Sequence, residues 1–191
     1  MQDHTKYKWF LTSTKSLVIG GKSSSQNDSL IRDLKEQKID YVMMHTAAPG
    51  SPFSCIIKEP SAVTEEEKKE CAIFTACFSR AWKNNAKNVK IHVFNLSQLY
   101  KMKSMAVGTW GVKGKVKEII VNDLVLEVKR QNKVLRAIPL TSGRKKKVLL
   151  MPGKIDKQDI LAKLEIELNE PLSKEEVLSA LPAGGISIKA K

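Results

Sequence analysis

Gly20-Gly21-Lys22-Ser23 is the first stretch of this 191-residue chain whose residue types suit chemistry, and that chemistry is phosphate binding. Gly21-Lys22-Ser23 matches the closing half of a G-x-x-x-x-G-K-[ST] loop, but Ser16 stands where the first glycine belongs. No obvious metal-holding strand follows it, so nucleotide hydrolysis lacks half its machinery. A milder chemistry survives. Two glycines let backbone approach a ligand closely, and the serine-rich helix start beyond them offers free N–H groups to a phosphate. A plain turn and helix cap fits these residues equally well.

His45 ends an apolar run, Tyr41 to Met44, just before the turn Pro49-Gly50-Ser51-Pro52. That is a place where α+β proteins put functional groups, although a structural histidine is the commoner outcome. A metal would need three or four ligands, and His4, His45, His92 and the three cysteines show no C-x-x-C, H-x-H or H-E-x-x-H spacing. Cys71 and Cys77 lie six apart, on different sides of one helix. Cys71 reads as core, and neither a metal nor a cofactor is expected. An odd count of three cysteines, each in an apolar stretch, argues against a disulfide framework and for a reducing cytoplasm.

The third group is cationic. The chain has 33 Lys+Arg against 20 Asp+Glu, a net charge of +13, and the excess is concentrated in residues 61–150. From Cys71 to Lys117 there are nine basic residues and no acid. Such asymmetry points to a polyanion, because each neutralised phosphate releases condensed counterions. Arg80, Lys83, Lys87 and Lys90 cluster near the end of a helix. Trp82, Phe94, Tyr100 and Trp110 interleave with cations, the combination that tracks a phosphate backbone and stacks bases. Trp82 fits core better. Arg144-Lys145-Lys146-Lys147 reads as a phosphate clamp or a basic turn.

The elements that must position these groups follow from patterning. Residues 6–21 predict a hairpin turning at Ser13-Thr14-Lys15, and a short helix through Leu30, Ile31 and Leu34 comes next. Strands are expected at Tyr41 to Met44 and Ser54 to Lys58. Thr64-Glu65-Glu66-Glu67 is a capping box opening one long helix, Glu65 to Lys83, on whose apolar face Cys71, Phe74, Thr75, Phe78 and Trp82 recur. After the strand Val89 to Phe94, an antiparallel meander is expected through Val107 to Val112, Val116 to Val121, Leu124 to Lys129 and Val134 to Ile138, with Val148 to Met151 beyond. A second capping box at Ser173, helices near Lys157 to Leu168 and Lys174 to Leu181, and an edge strand at Ile186 to Ile188 form the tail. No apolar run approaches the roughly 20 residues of a membrane helix, and the start lacks a secretory signal.

Several blocks together resemble one family. Trp9-Phe10, Leu17-Val18-Ile19-Gly20-Gly21-Lys22 with Gln26-Asn27-Asp28, and Tyr41 to His45 with Gly50-Ser51-Pro52 are similar in order to the NFACT-R domain. Ala76-Cys77-Phe78-Ser79-Arg80-Ala81-Trp82-Lys83 resembles its most recognisable string. Gln98-Leu99-Tyr100-Lys101 and Val107-Gly108-Thr109-Trp110 to Lys113-Gly114-Lys115 resemble its last two motifs, so the likeness covers about residues 7–117. NFACT-R is the RNA-binding module of the NFACT (RqcH) family of ribosome-associated quality control. Met151-Pro152-Gly153 and Leu178 to Gly185 resemble the C-terminal part of archaeal members. Ala47 departs from the acidic residue common two places after the family's histidine, which weakens any polar site built on His45. The family's NFACT-N domain, helix-hairpin-helix part and coiled coil have no counterpart in these 191 residues, so a tailing factor is not implied, and both a free-standing protein and part of a longer one fit.

The expectation is an α+β fold: a mainly antiparallel sheet packed on one long helix, residues 1–150, with a small C-terminal α/β extension, largely helical, over 151–191. The resemblance implies a non-enzymatic, cytoplasmic RNA-binding protein whose partner is tRNA or rRNA, with the ribosome behind it. Gly20, Gly21, Lys22, Gln26 and Asn27 would cradle phosphate, and Arg80, Lys83, Lys101, Lys113 and Lys115 would supply charge. Trp110 or Tyr100 would stack, with His45 as a polar contact. The rivals are an enzyme acting on nucleic acid or nucleotide through His45, a basic protein-interaction module, and a DNA binder.

Overall fold

The computed structural model describes residues 3–140, 148–156 and 158–190; the basic run Arg144–Lys147 lies outside them. Its centre is a six-stranded antiparallel sheet in the order β1-β2-β4-β3-β5-β8. The strands are β1 (Lys8–Leu11), β2 (Leu17–Gly20), β3 (Val42–Thr46), β4 (Ser54–Ile57), β5 (Val89–Asn95) and β8 (Lys117–Val121). Period-two alternation gives this sheet two buried faces. Trp9, Ile19, Met43, Cys55 and Phe94 face α1 (Ser24–Glu36) through Leu30, Ile31 and Leu34. Phe10, Val18, Met44 and Ile56 face α2 (Glu65–Cys77) on the other side.

The single long helix is therefore overturned. Two helices of 13 residues sandwich the sheet, and the helical run expected to reach Lys83 breaks. Ser79 adopts an extended backbone (ψ 177°), and its hydroxyl accepts from Ala81 N–H to cap a new turn, α3 (Arg80–Lys83). The Arg80 N–H turns outward to the Gly50 carbonyl at 2.9 Å instead of continuing the ladder. Periodicity of apolar residues reads through such a break, because Trp82 returns to the core on the far side of it.

The meander is also corrected. Its first expected strand shrinks to β7 (Gly111–Val112), paired with β6 (Leu99–Tyr100), and β8 joins the central sheet as an edge. β9 (Leu126–Gln131) and β10 (Val134–Pro139) instead form a second sheet, β10-β9-β11-β12, with β11 (Val148–Ile155) and β12 (Ile186–Ala190). Residue 150 lies inside β11, so this sheet draws strands from both sides of it. Between β11 and β12 come α4 (Leu161–Leu168) and α5 (Lys174–Ala180), the latter opened by the Ser173 capping box. Leu126, Leu150, Leu164 and Ile186 share one core with α2.

Buried Glu67 ties the first hairpin to α2. It accepts from Ser16 and Thr14 hydroxyls, from Thr64 N–H at 2.8 Å and from Lys58 Nζ at 3.0 Å. Burial works against its charge, but these donors outweigh burial and pull its pKa down to about 2. No helix among the described residues is long and apolar enough to cross a membrane.

Candidate nucleic-acid interface

A cleft of about 710 Å³ opens at the end of the central sheet where β2 stops at Gly20, β3 at Thr46 and β4 begins at Ser54. The start of α1 forms one wall, and the junction of α2 and α3 forms another. The segment Val107–Trp110 forms a third. Among the described residues, no aspartate or glutamate lines it.

The phosphate-type loop sits on the first wall. A Cβ on Gly21 would come within 2.1 Å of Asn27 Oδ1, so glycine is needed for the chain to pass beneath α1. Asn27 uses that oxygen to accept Phe53 N–H at 3.1 Å, which fixes the β3–β4 loop to the helix. Ser23 caps α1 by accepting Gln26 N–H, and the positive end of the helix dipole faces the cleft at Ser23 and Ser24. Gln26 is committed internally, accepting Lys22 N–H and donating to Lys6 O. Gly20 lies behind, its Cα enclosed by Phe74, Pro52 and Ser54.

On the opposite wall, Arg80 is exposed and has no acidic partner among the described residues. Its stem runs over Gly50, where φ is +100° and an added Cβ would lie 2.5 Å from Arg80 Cδ. The helix break at Ser79 and the glycine at 50 together aim this guanidinium at the rim.

His45 forms the floor, half-buried, its ring tilted by 36° against Phe53 at 4.5 Å between ring centroids. Burial lowers its pKa, the Thr46 carbonyl at 2.7 Å from Nδ1 partly opposes this, and His92 adds to the lowering. A neutral ring whose Nδ1–H donates to Thr46 O leaves Nε2 as an acceptor. His45 thus contributes an aromatic surface and an acceptor to the cleft, not a charge.

Half of the expected residues gather here: Gly21, Lys22, Asn27, His45, Arg80 and Trp110 line the cleft, whereas Gly20, Gln26, Lys83, Lys101, Lys113 and Lys115 do not. Lys101 pairs with Asp28 at 3.1 Å, and Lys87 and Lys90 pair with Asp123 and Glu118. The acid-free run in sequence is therefore partly neutralised in space by acids from elsewhere. Lys83 packs beside Gly184. Lys113 lies 5.2 Å over the Tyr100 ring, which passes so close to Gly111 that an added Cβ there would collide with it. Trp110 carries Lys35 and Lys101 over its ring at 5.0 and 5.5 Å. Sequence reasoning missed Phe53 and Phe78, which line the cleft as aromatic walls. Phe78 was legible only as a core position of the helix that breaks after it.

An α+β scaffold with an acid-free cleft, a helix N-terminus on one side and an unpaired arginine on the other is a module for binding an anionic polymer. The sequence pattern of the family described as "NFACT protein RNA binding domain" matches residues 6–114, more than half of the chain. The chain belongs to that family, and RNA is accordingly the ligand class of the domain. It is 30% identical over 79 residues to the ribosome quality control complex subunit NEMF of mouse and of human, a stretch covering 40% of this chain and 7% of those proteins. In fold it is similar to the C-terminal part of the fibronectin/fibrinogen-binding protein of Streptococcus suis, with a TM-score of 0.54 and 21% identity, over 63% of this chain and 46% of that one.

Proposed function

We infer that this domain binds structured RNA, tRNA or rRNA, without catalysing a reaction on it, and that it acts with the cytoplasmic ribosome in quality control. The observation that carries the reading is the cleft itself, lined by Arg80 and the start of α1 and, among the described residues, by no carboxylate. Neutral His45 on Phe53 offers a flat surface and an acceptor to an unpaired base, which suits RNA with exposed loops or ends. The similarity to subunits named for ribosome quality control supports the cellular setting. Nδ1 is held by the Thr46 carbonyl, and no acid among the described residues lining the cleft is there to stabilise the imidazolium that general-base catalysis would form on His45.

The test is fluorescence anisotropy with tRNA, duplex RNA, single-stranded RNA, duplex DNA and heparin across a salt series. Preference for tRNA or duplex RNA over DNA and heparin is expected, with Arg80→Ala flattening the salt slope by about one unit. Equal binding to all five polyanions would overturn recognition, and turnover lost in His45→Ala would overturn the non-catalytic reading.

A further inference from the structure

Arg136 of β10 lies with its guanidinium carbon 4.2 Å from the centroid of the Trp9 ring. Strand alternation puts it there, since Leu135 and Ala137 turn into the core shared with α2 and Arg136 turns to the opposite face. Gln131 holds the two sheets together at this point. Its side-chain amide accepts Leu11 N–H at 2.8 Å and donates to Leu11 O at 2.7 Å, fixing edge strand β1 beside the β9–β10 hairpin.

The stacked guanidinium is unsatisfied. Its Nε is buried without a hydrogen-bond partner, as is Trp9 Nε1 beneath it. Among the described residues no acid pairs with Arg136, and its side chain remains partly exposed. Lys22, on the cleft wall, lies within its electrostatic reach. Burial lowers the Lys22 pKa and the charge of Arg136 lowers it further, with no carboxylate offsetting either cation. A guanidinium held over an indole, partly exposed and with no acid paired to it among the described residues, suits a phosphate oxygen.

We propose that Arg136, held over Trp9, is a separate phosphate site that takes one backbone phosphodiester of the bound RNA and leads its path from the cleft onto the second sheet. The proposal rests on the RNA-binding reading and extends it, because Arg136 lies outside the residues 6–114 that match the family.

The experiment has two arms on the full chain. In the first, tRNA affinity is measured over a salt series for the wild type, Arg136→Gln, Arg136→Lys and the α4 surface control Lys163→Gln. Arg136→Gln is expected to flatten the slope of log K against log salt by about one unit, whereas Arg136→Lys keeps the charge and the slope. In the second, the indole N–H resonance of Trp9 is followed by NMR during titration with inorganic phosphate. It is expected to shift in the wild type and not in Arg136→Gln, with the rest of the spectrum reporting that the variant is folded.

RNA binding with an unchanged slope in Arg136→Gln and a stationary Trp9 resonance would overturn this site while leaving the RNA reading intact. A Trp9 shift on phosphate without RNA binding would do the reverse. A slope loss equal to that of Lys163→Gln would reduce Arg136 to general surface charge and also overturn the proposal.

Discussion

The indole N–H of Trp110 donates to Asp28 Oδ1 at 2.6 Å, joining residues 82 apart in sequence. Asp28 also accepts Gly108 N–H at 3.0 Å and pairs with Lys101, so a single carboxylate on α1 holds both ends of the loop that forms the third wall. Partial burial opposes its charge, but the Gly108 amide, the Trp110 indole and the Lys101 ammonium keep its pKa below the ordinary carboxylate value.

Asp28→Ala is expected to free this loop. Losing hydrogen bonds to a charged group costs about 1.5–3 kcal/mol, which raises the open population at least about tenfold. Limited trypsin digestion should then cut at Lys101 or Lys103 about tenfold faster than in the wild type. An unchanged cutting rate would mean that the wall is held by packing alone.

Gly50 and Arg80 separate placement from charge. Gly50→Ala puts a Cβ against Arg80 Cδ at a φ of +100°, a strain of about 1–2 kcal/mol, and should lower the melting temperature by several degrees. Arg80→Ala removes an exposed side chain and should leave melting nearly unchanged. Both should weaken RNA binding, and if only Arg80→Ala does so, the aim of the guanidinium is unimportant.

His45 tests whether the cleft reads charge. Its pKa lies below the ordinary 6.5 because burial disfavours the imidazolium. The folded state therefore loses stability relative to the unfolded chain as pH falls below 6.5, where the unfolded histidine takes a proton more readily. The ratio of RNA affinities between the wild type and His45→Gln should stay flat from about pH 6.5 to 8. Affinity that climbs over this range as His45 protonates would contradict a neutral acceptor.

Glu67 sets acid stability. With its folded pKa near 2 against an ordinary value of 4.5, it lends stability that is full above 4.5 and disappears as pH falls toward 2. Glu67→Gln should cost on the order of 3 kcal/mol at neutral pH, measured by denaturant unfolding. The variant and the wild type should converge by about pH 2; a constant gap would assign the loss to packing.

Local chemistry was legible and long-range assembly was not. The Thr64 and Ser173 capping boxes are written in four consecutive residues each, and both form. The break at Ser79 was hidden because Trp82 keeps the apolar rhythm, while the carbonyl of Gly50 that takes the Arg80 N–H lies 30 residues upstream of Arg80. Lys101 looked free because its acid, Asp28, belongs to a distant helix. Nothing near Arg136 in sequence announces its partner Trp9, 127 residues upstream. The cleft itself draws on α1, the β3–β4 loop, the α2–α3 junction and residues 107–110, a combination no local pattern encodes.

Trp82, the tryptophan of the most recognisable family string, donates its indole N–H to Gly185 O at 3.1 Å, far beyond the end of the family match. Cutting the chain after residue 114 would leave that donor buried without an acceptor and strip α2 of the apolar layer supplied by Leu126, Leu150 and Ile186. The recognisable module and its tail are thus expected to unfold as one cooperative unit. Amide exchange at Trp82 and at Ile186 should slow to the same global limit, so loss of the last strand would melt the RNA-binding face along with it.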